Sequence, residues 1–418
     1  MKELFTMLTD PRFHLVSNVR ERFGQGPEPT YVRLNREGFS IDAGIKKKTL
    51  VHPYMHLATH PFAGKGDLFA PMYGEITDIT ERSVFVRHME PTEEMKAACE
   101  AEPMTDILAC EERGEALVPV LKAMGLNTKS LGQECETLIV NCQNPDPGVT
   151  WAEPMLLTHT RTLAAGLTML RRLSRAQRII LAVPEELKIK VHDFEVVPVP
   201  SRYPASVNAL VVKAVTGRER PDGIGIVGLH NVWSLGHVAM TRKPLIETVI
   251  TIGSLSFTGN YIVRDGSTVG ELLKFARVTL SAGDTIVRGG PLRGESVDKQ
   301  DRSITKGATG LFLVEKGSVA PMIGHSPCVS CGSCVAICPA RLRPDMLSRY
   351  AEFGLHKRCL EQYISSCLEC GLCGYVCIAR RPVLQYIRLA KVKLGISVLK
   401  TEGLYAQEEA TTTGEARS

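Results

Sequence analysis

Two cysteine quartets with the same spacing lie near the C-terminus, and they constrain the folding of this region more than any other feature of the chain. Within each quartet, two residues separate the first three cysteines and three residues precede the fourth. The quartets are Cys328-x2-Cys331-x2-Cys334-x3-Cys338 and Cys367-x2-Cys370-x2-Cys373-x3-Cys377. Three thiolates at this spacing can surround three irons of a cubane from one tight loop, and the fourth ligand comes from elsewhere. The spacing therefore predicts two [4Fe–4S] clusters.

The fourth cysteine of each quartet is expected to serve the other cluster, as in two-cluster ferredoxins. This crossing assigns the first cluster to Cys328, Cys331, Cys334 and Cys377. It assigns the second cluster to Cys367, Cys370, Cys373 and Cys338. The crossing would hold the clusters side by side, close enough for electron transfer between them. No catalytic side chain is predicted.

Two other uses of the cysteines fit the sequence less well. Structural zinc takes separated C-x2-C pairs, often with histidine, and not a third cysteine two residues further on. A disulfide framework is typical of short secreted chains and not of two cysteine quartets within 50 residues of a long one. The remaining cysteines match no ligand position, and we interpret them as buried, inert thiols. They are Cys99, Cys110, Cys135, Cys142 and Cys359.

Composition places the chain among soluble or peripheral multidomain proteins. It has 418 residues, 44% of them hydrophobic, and no stretch of about 20 apolar residues that could span a membrane. The N-terminus lacks the layout of a signal peptide. Positive charge concentrates in residues 341–400, with eleven Lys and Arg against four Asp and Glu. These cations could offset anionic clusters, dock on anionic lipid or an acidic partner, or form a solvated face. Basic and aromatic residues do not interleave, so nucleic acid is not an expected partner.

The pattern of strand-like and helix-like segments along the sequence predicts a multidomain α/β fold. Short strands broken by Gly and Pro give way to strands that alternate with helices, which is typical of a parallel sheet. Short strands around one helix then suggest a β-grasp module, and a helical scaffold carries the quartets. The predicted segments are an irregular lead-in (1–40), a β domain (41–91), an α/β domain (92–244), a β-grasp domain (245–300), a two-cluster domain (320–400) and a disordered tail (403–418).

This order of modules resembles RnfC, the peripheral iron–sulfur subunit of the Rnf complex, over about residues 40 to 395. Several short strings support the resemblance in the same order. They include Gly66-Asp67-Leu68-Phe69-Ala70-Pro71, Leu138-Ile139-Val140-Asn141, Tyr203-Pro204, Thr216-Gly217-Arg218-Glu219, Pro244-Leu245-Ile246-Glu247, Gly259-Asn260-Tyr261 and Gly289-Gly290-Pro291-Leu292.

The resemblance implies the identity of each module. The first β domain would be barrel-sandwich-like, the α/β domain similar to the flavin- and NADH-binding subunit of complex I, and the β-grasp domain of the SLBB type. Family members are implied to pass electrons between a nicotinamide pool and ferredoxin, coupled to ion movement by membrane partners. The expected location is the cytoplasmic face of the bacterial inner membrane. Expected partners are other Rnf-type subunits and a redox donor such as ferredoxin or a cytochrome.

The sequence departs from the family where FMN and NADH would bind. The glycine-rich loop of the family is replaced by the stretch 121–129, which retains one glycine. The acidic strand end appears as 141–147, and the Gly-Gly-Glu after Tyr203-Pro204 is absent. Side chains in place of glycine obstruct the approach of a phosphate to the backbone. We therefore expect FMN and NADH binding to be weakened or lost. Lys129 and Asp146 alone are candidates for a remaining nucleotide role, and each could instead be an exposed loop charge.

Three functions are compatible with these features. The leading hypothesis is an electron-transfer subunit of a membrane-associated, ion-translocating oxidoreductase complex. The alternative is a soluble iron–sulfur adaptor that links a dehydrogenase or cytochrome partner without ion translocation. A third hypothesis is a flavin-dependent NADH dehydrogenase that acts alone, and a bound flavin would favour it. Electron relay is favoured over independent enzymatic activity because the nucleotide site has changed.

Overall fold

The computed structural model describes residues 13, 15, 23–128, 131, 135–191, 193–219, 221–254, 257–316 and 326–396. The chain divides into two compact units with a boundary after Lys316. Both helices and several sheets are present, which confirms a mixed α/β fold. Within the described ranges, no helix is both long and apolar enough to cross a membrane. The predicted disordered tail, 403–418, lies outside the described residues.

The first unit begins with two small antiparallel sheets of order β2-β8-β7-β4 and β3-β5-β6. Their strands are β2 (Tyr31–Asn35), β3 (Ser40–Ile41), β4 (Leu50–Val51), β5 (His56–Thr59), β6 (Leu68–Phe69), β7 (Gly74–Ile79) and β8 (Ser83–His88). Alternate residues of β2 face the core, where Val32 and Leu34 are fully buried. The irregular lead-in predicted for 1–40 is therefore wrong at this strand, whose period-two alternation was visible in the sequence.

A parallel sheet of order β11-β10-β9-β12 follows, and it confirms the predicted alternation of strands and helices. The strands are β9 (Thr137–Asn141), β10 (Arg178–Pro184), β11 (Glu195–Val199) and β12 (Ile224–Gly228). The helices of this region are α1 (Glu93–Ala101), α2 (Val118–Ala123), α3 (Ala152–Thr158), α4 (Thr160–Ser174), α5 (Asn208–Thr216) and α6 (Leu229–Thr241).

Helices α4 and α6 pack closely because glycines lie at their contact. A Cβ on Gly166 would lie 2.0 Å from the carbonyl oxygen of Val232, and one on Gly236 would lie 1.8 Å from that of Thr162. His159 separates two consecutive helices, because it follows the last residue of α3 and precedes the first residue of α4.

The first unit ends with a six-stranded mixed sheet of order β1-β14-β13-β17-β15-β16. Its strands are β1 (Gly24–Gln25), β13 (Glu247–Gly253), β14 (Thr258–Arg264), β15 (Thr285–Arg288), β16 (Glu295–Val297) and β17 (Gly310–Val314). Helix α7 (Val269–Phe275) begins after Thr268, whose hydroxyl accepts the Glu271 amide. The sheet includes β17, which lies beyond the predicted boundary at residue 300, because β17 pairs with both β13 and β15.

The second unit is mainly helical and contains both cysteine quartets. Its helices are α8 (Ser333–Ala336), α9 (Pro344–Glu352), α10 (His356–Glu361), α11 (Leu372–Tyr375) and α12 (Val383–Lys393). Helix α9 packs on α12 around a small core that includes Leu347, Ala351, Ile364 and Ile387. Cys328 and Cys367, the first cysteines of the two quartets, are 39 residues apart. The same offset relates the short helix α8 to α11 and the longer helix α9 to α12. The unit is therefore an internal repeat.

Candidate functional site

The two quartet loops share one backbone conformation. Gly332 and Gly371, at equivalent positions, have φ values of +77° and +79° and precede the short helices α8 and α11. Two residues before each of these glycines, Ser330 and Glu369 have φ values of +55° and +51°. These left-handed residues turn each loop tightly, which brings the first three cysteines of a quartet to one side.

The loops bring the cysteines together in two sets of four. One cavity is lined by Cys328, Cys331, Cys334 and Cys377. The other is lined by Cys338, Cys367, Cys370 and Cys373. These are the sets that the crossed assignment predicts, and we name the spaces the first and the second cysteine cavity.

The two cavities differ in their surroundings. The first cysteine cavity includes the exposed Cys331 and the polar side chains Asp345, Ser348 and Arg381. The second has the buried Cys370 and Cys373 and a largely apolar lining. That lining includes Leu342, Leu347, Leu368, Leu384 and Ile387.

The donor set of each cavity fits an iron–sulfur cluster. Burial raises the pKa of the Cys334 and Cys367 thiols to about 11, so neither ionises at neutral pH without a bound cation. The amides of Leu342 and Arg381, at equivalent positions, donate to the sulfurs of Cys338 and Cys377 at 3.4 Å. Such N–H to sulfur bonds are a means by which proteins tune clusters. No group of three or more His, Cys, Asp and Glu in the described residues could hold a metal ion as placed. The fit of each cavity to a cluster therefore rests on its thiol donors and on their grouping in sets of four.

Buried charged side chains beside the cavities were not predicted from the sequence. Arg381 pairs with Glu352 at 2.5 Å, and its amide is the one that donates to Cys377. Glu369 pairs with Lys391 at 2.7 Å and with Arg388 at 2.9 Å. The sequence signal that could have revealed these charged residues is the 39-residue offset between the two halves of the unit. This offset places the acidic Glu352 and the basic Lys391 at equivalent positions.

The five cysteines predicted to be inert are not all buried. Cys99, Cys142 and Cys359 are buried, as expected. Cys110 and Cys135 are only half-buried, so the prediction is wrong for these two. The Cys110 thiol donates to Glu112 at 2.6 Å, and this bond raises its pKa. Burial raises the pKa of Cys142 to about 12.

The loop that replaces the glycine-rich loop uses its own amides internally. The amides of Met124, Gly125 and Leu126 donate to backbone carbonyls of α2, and that of Thr128 donates to Gly64 at 2.9 Å. A phosphate-binding loop instead directs such amides at the ligand. The carbonyl of Gly125 accepts from the half-buried Lys306 ammonium at 3.2 Å. The four amides named here are therefore committed to the fold.

The carboxyl edge of the parallel sheet is crossed by the N-terminal part of the chain. The amide of Leu15 donates to Ser201 at 2.7 Å, and the amide of Tyr203 donates to Phe13 at 2.7 Å. The side-chain amide of Asn144 donates to the carbonyl of Leu15 at 2.9 Å. Residues 13 and 15 thus connect the loop after β9 to the loop after β11. Ligands of open α/β sheets bind at this edge.

Of the two candidate nucleotide residues, Asp146 is buried and Lys129 lies outside the described residues. Asp146 is 2% exposed, which excludes the solvated loop charge considered for it. Its Oδ1 accepts the amide of Leu292 at 3.0 Å, and a Cβ on Gly290 would lie 2.1 Å from its side chain. Asp146 therefore connects the loop after β9 to the loop that begins at Gly290.

Two buried polar side chains near the strand ends were also not predicted. Gln143 and Ser206 are each 3% exposed, and their side-chain polar atoms have no hydrogen-bond partner among the described residues. Both lie next to Asn141. The side-chain oxygen of Asn141 accepts from the backbone amide of Gln143, and its side-chain nitrogen donates to the backbone carbonyl of Ser206. A water or small polar ligand would satisfy them.

The fold and site define a multidomain α/β protein with a duplicated cysteine module. Sequence comparison finds similarity to the C subunit of the ion-translocating oxidoreductase complex of Buchnera aphidicola, 26% identical over 269 residues, 60% of this chain and 57% of that protein. The corresponding protein of Pasteurella multocida is 27% identical over 63% of this chain and 34% of its own length. The C subunit of the proton-translocating ferredoxin:NAD(+) oxidoreductase complex of Clostridium ljungdahlii is 29% identical, over 62% and 61% respectively.

The chain is a divergent relative of these proteins, which confirms the resemblance to the RnfC family. The matched region spans less than two thirds of each of these three relatives. No family model matches the chain. Among solved structures, a chain of an NAD+-reducing [NiFe]-hydrogenase in the air-oxidized state is similar over 74% of this chain and 59% of its own, with 12% identity and a TM-score of 0.39.

Proposed function

We propose that this chain is an electron-transfer subunit that relays electrons through two [4Fe–4S] clusters in a membrane-associated, ion-translocating oxidoreductase complex. The observation that carries the proposal is the pair of cavities, each lined by four cysteines drawn from both quartets. Bound clusters would supply reversible one-electron chemistry. The chain would hold them in two loops of one repeat and shield the second more fully from water.

The proposal includes weakened or lost binding of FMN and NADH. Its support is the loop at 121–128, in which the amides of Met124, Gly125, Leu126 and Thr128 donate to backbone carbonyls, and the position of residues 13 and 15 across the sheet edge. Neither arrangement leaves the backbone open to a phosphate in the way that nucleotide-binding loops require. The electrons would then come from a partner and not from a nicotinamide bound to this subunit.

The proposed partners are other subunits of an Rnf-type membrane complex and a redox donor such as ferredoxin or a cytochrome. The names of the relatives place those proteins in multi-subunit, ion-translocating complexes. We propose a peripheral location on the cytoplasmic face of the bacterial inner membrane. The excess of basic residues in 341–400 would favour an acidic partner or anionic lipid there.

Anaerobic purification followed by quantitation of iron, sulfide and flavin in one sample tests the proposal. We expect about eight irons and eight sulfides per chain, no stoichiometric flavin and no bleaching of the cluster absorbance by NADH. A spectrum after dithionite addition is the control, because it shows that the clusters can be reduced. Stoichiometric flavin with NADH-dependent bleaching would refute the loss of nucleotide binding. Fewer than four irons would refute the relay itself.

Co-purification from membranes separates the leading function from the soluble adaptor. If the chain is recovered with multi-span membrane subunits from a native detergent extract, the result supports the ion-translocating complex. Recovery only with a soluble dehydrogenase or cytochrome would support the adaptor instead. Either result is compatible with eight irons, so the iron assay and the partner assay test different parts of the proposal.

A further inference from the structure

Two buried side chains at equivalent positions of the internal repeat carry opposite charges. The 39-residue offset takes Glu352, the last residue of α9, to Lys391 in α12. The two side chains are 10% and 2% exposed. A buried charge of this kind needs close partners, because removing it from water is costly. The partners of the two residues differ, and so does the net charge that results.

Lys391 lies beside the second cysteine cavity. Its ammonium donates to the carbonyl oxygen of Cys367 at 2.9 Å and to Oε1 of Glu369 at 2.7 Å. Arg388 donates to Oε2 of the same carboxylate at 2.9 Å. Glu369 lies between Cys367 and Cys370 in the quartet loop and is fully buried. These three side chains together carry two positive charges and one negative charge.

The charged side chains beside the first cysteine cavity form neutral pairs. Glu352 accepts from Arg381 at 2.5 Å and from the hydroxyl of Tyr386 at 3.4 Å. Asp345, which lines the cavity, pairs with Arg343 at 2.8 Å. Each pair has one cation and one carboxylate. Among the described residues of this unit, the repeat therefore places an extra buried cation, Lys391, at the second cavity and not at the first.

We propose that Lys391 raises the reduction potential of the cluster at Cys338, Cys367, Cys370 and Cys373 above that of the other cluster. This inference rests on the proposed function. A cluster ligated by four thiolates becomes more negative when it gains an electron, and a fixed positive charge in a poorly screened interior stabilises that state. Lys391 would act through this field and through the Cys367 loop, as a positioning residue.

The direction of electron transfer follows from this difference in potential. An electron that enters near the exposed Cys331 would pass from the first cluster to the second. In this step the first cluster would lose the one electron that the second cluster gains. No bond forms or breaks and no proton moves in this step.

The test compares the full-length Lys391→Met and Lys393→Met variants with the unchanged protein. Both substitutions remove one positive charge from α12, but Lys393 is exposed. After iron quantitation, a dithionite titration followed by electron paramagnetic resonance gives the two one-electron reduction steps. In Lys391→Met, we expect the reduction constant of the higher-potential step to fall at least about tenfold, or about 59 mV. The lower step should stay in place, and Lys393→Met should move neither.

Two further variants reverse or preserve the effect. Glu369→Gln removes the negative charge and should shift the higher step to a still higher potential, whereas Lys391→Arg should leave it unchanged. These variants decide the question if Lys391→Met does not fold. Eight irons with equal steps in the Lys391→Met and Lys393→Met variants would overturn the inference, as would an unshifted or lowered step in Glu369→Gln. A low iron content in the unchanged protein would instead refute the proposed function, and the inference with it.

Discussion

The two regions where a cofactor could bind differ in what the fold does with their polar groups. In the loop at 121–128, the amides of Met124, Gly125, Leu126 and Thr128 donate to backbone carbonyls. In the C-terminal unit, eight thiols form no disulfide and are grouped around two cavities. The backbone amides of the first region are bonded within the fold, whereas the thiols of the second region are grouped with no disulfide between them.

This difference shows why substitutions have unequal effects on the two kinds of site. A phosphate site is made of backbone amides, so a change of one or two residues that alters the local turn removes several donors together. A cluster site is made of side chains, so the loops around it can diverge while the ligand spacing is kept. Pro339 follows the first quartet and Ile378 follows the second, yet the fourth cysteine of each quartet still lines a cavity.

The largest expected effect comes from removing one cysteine of either cavity. Cys331→Ala and Cys370→Ala should each lose or convert one cluster, so that iron falls from about eight to about four when the cluster is lost. Iron and sulfide assays with electron paramagnetic resonance measure the result. The control is Cys359→Ala, because Cys359 is buried in the same unit and its thiol contacts the carbonyl of Leu347 at 3.7 Å. This control should keep all its iron, and eight irons in both ligand variants would contradict the assignment.

The next largest expected effect is a dependence of the stability of the α/β region on pH. Burial lowers the pKa of His230 to about 4 from an ordinary value of 6.5, and the pKa values of His159 and His237 are lowered in the same direction. The unfolded chain therefore binds protons that the folded state does not. Stability should fall as pH decreases from about 6.5 to about 4, by up to about 3 kcal/mol for His230.

The fluorescence of the two tryptophans of the chain can measure this loss of stability in the first unit. The rings of Trp151 and Trp233 lie 5.9 Å and 6.1 Å from that of His230, so urea unfolding followed by tryptophan fluorescence measures the first unit. His230→Gln retains a partner for Thr248, which contacts His230 at 2.9 Å, and removes the titration. A variant with the same pH dependence as the unchanged protein would show that other groups dominate.

A third effect tests whether the 121–128 loop is fixed by its neighbours. A Cβ on Gly66 would lie 2.3 Å from the carbonyl carbon of Gly125, a backbone atom that cannot move aside without shifting the loop. Gly66→Ala should therefore destabilise the first unit by about 2 kcal/mol in the same fluorescence assay. Gly44→Ala, which meets nothing within 4 Å, is the control and should change stability little. Equal stability of the two variants would mean that the loop is not packed in this way.

Local patterns predicted much of this molecule, and long-range packing explains the rest. Strands β9 and β10 are continuous apolar runs, a pattern that predicts a buried strand, whereas glycines at positions 225 and 228 weaken that pattern in β12. The ligand spacing of the cluster site is local and was readable. The pairing of Arg381 with Glu352 depends on the packing of α12 against α9, which no short motif specifies. The contact of Leu15 with Asn144 is equally distant in sequence.

The smallest expected effect distinguishes a structural Asp146 from a nucleotide-binding one. Asp146→Asn keeps an acceptor for the Leu292 amide but removes the negative charge from a buried bond of 3.0 Å. A hydrogen bond to a charged group contributes more than a neutral one, so the first unit should lose about 1 kcal/mol. Flavin content and the NADH difference spectrum should stay as in the unchanged protein. The exposed Asp301, whose side chain is 60% exposed, provides a matched Asp→Asn control that should leave stability unchanged.

The two readouts of the Asp146 variant separate the two roles. Lower stability with unchanged nucleotide measurements would show that the carboxylate serves the connection between the loop after β9 and the Leu292 loop. Unchanged stability with altered flavin or NADH binding would show that this edge of the sheet retains a nucleotide site. That second result would also mean that the amides committed at 121–128 do not decide binding, because a ligand held by side chains at the strand ends would not need them.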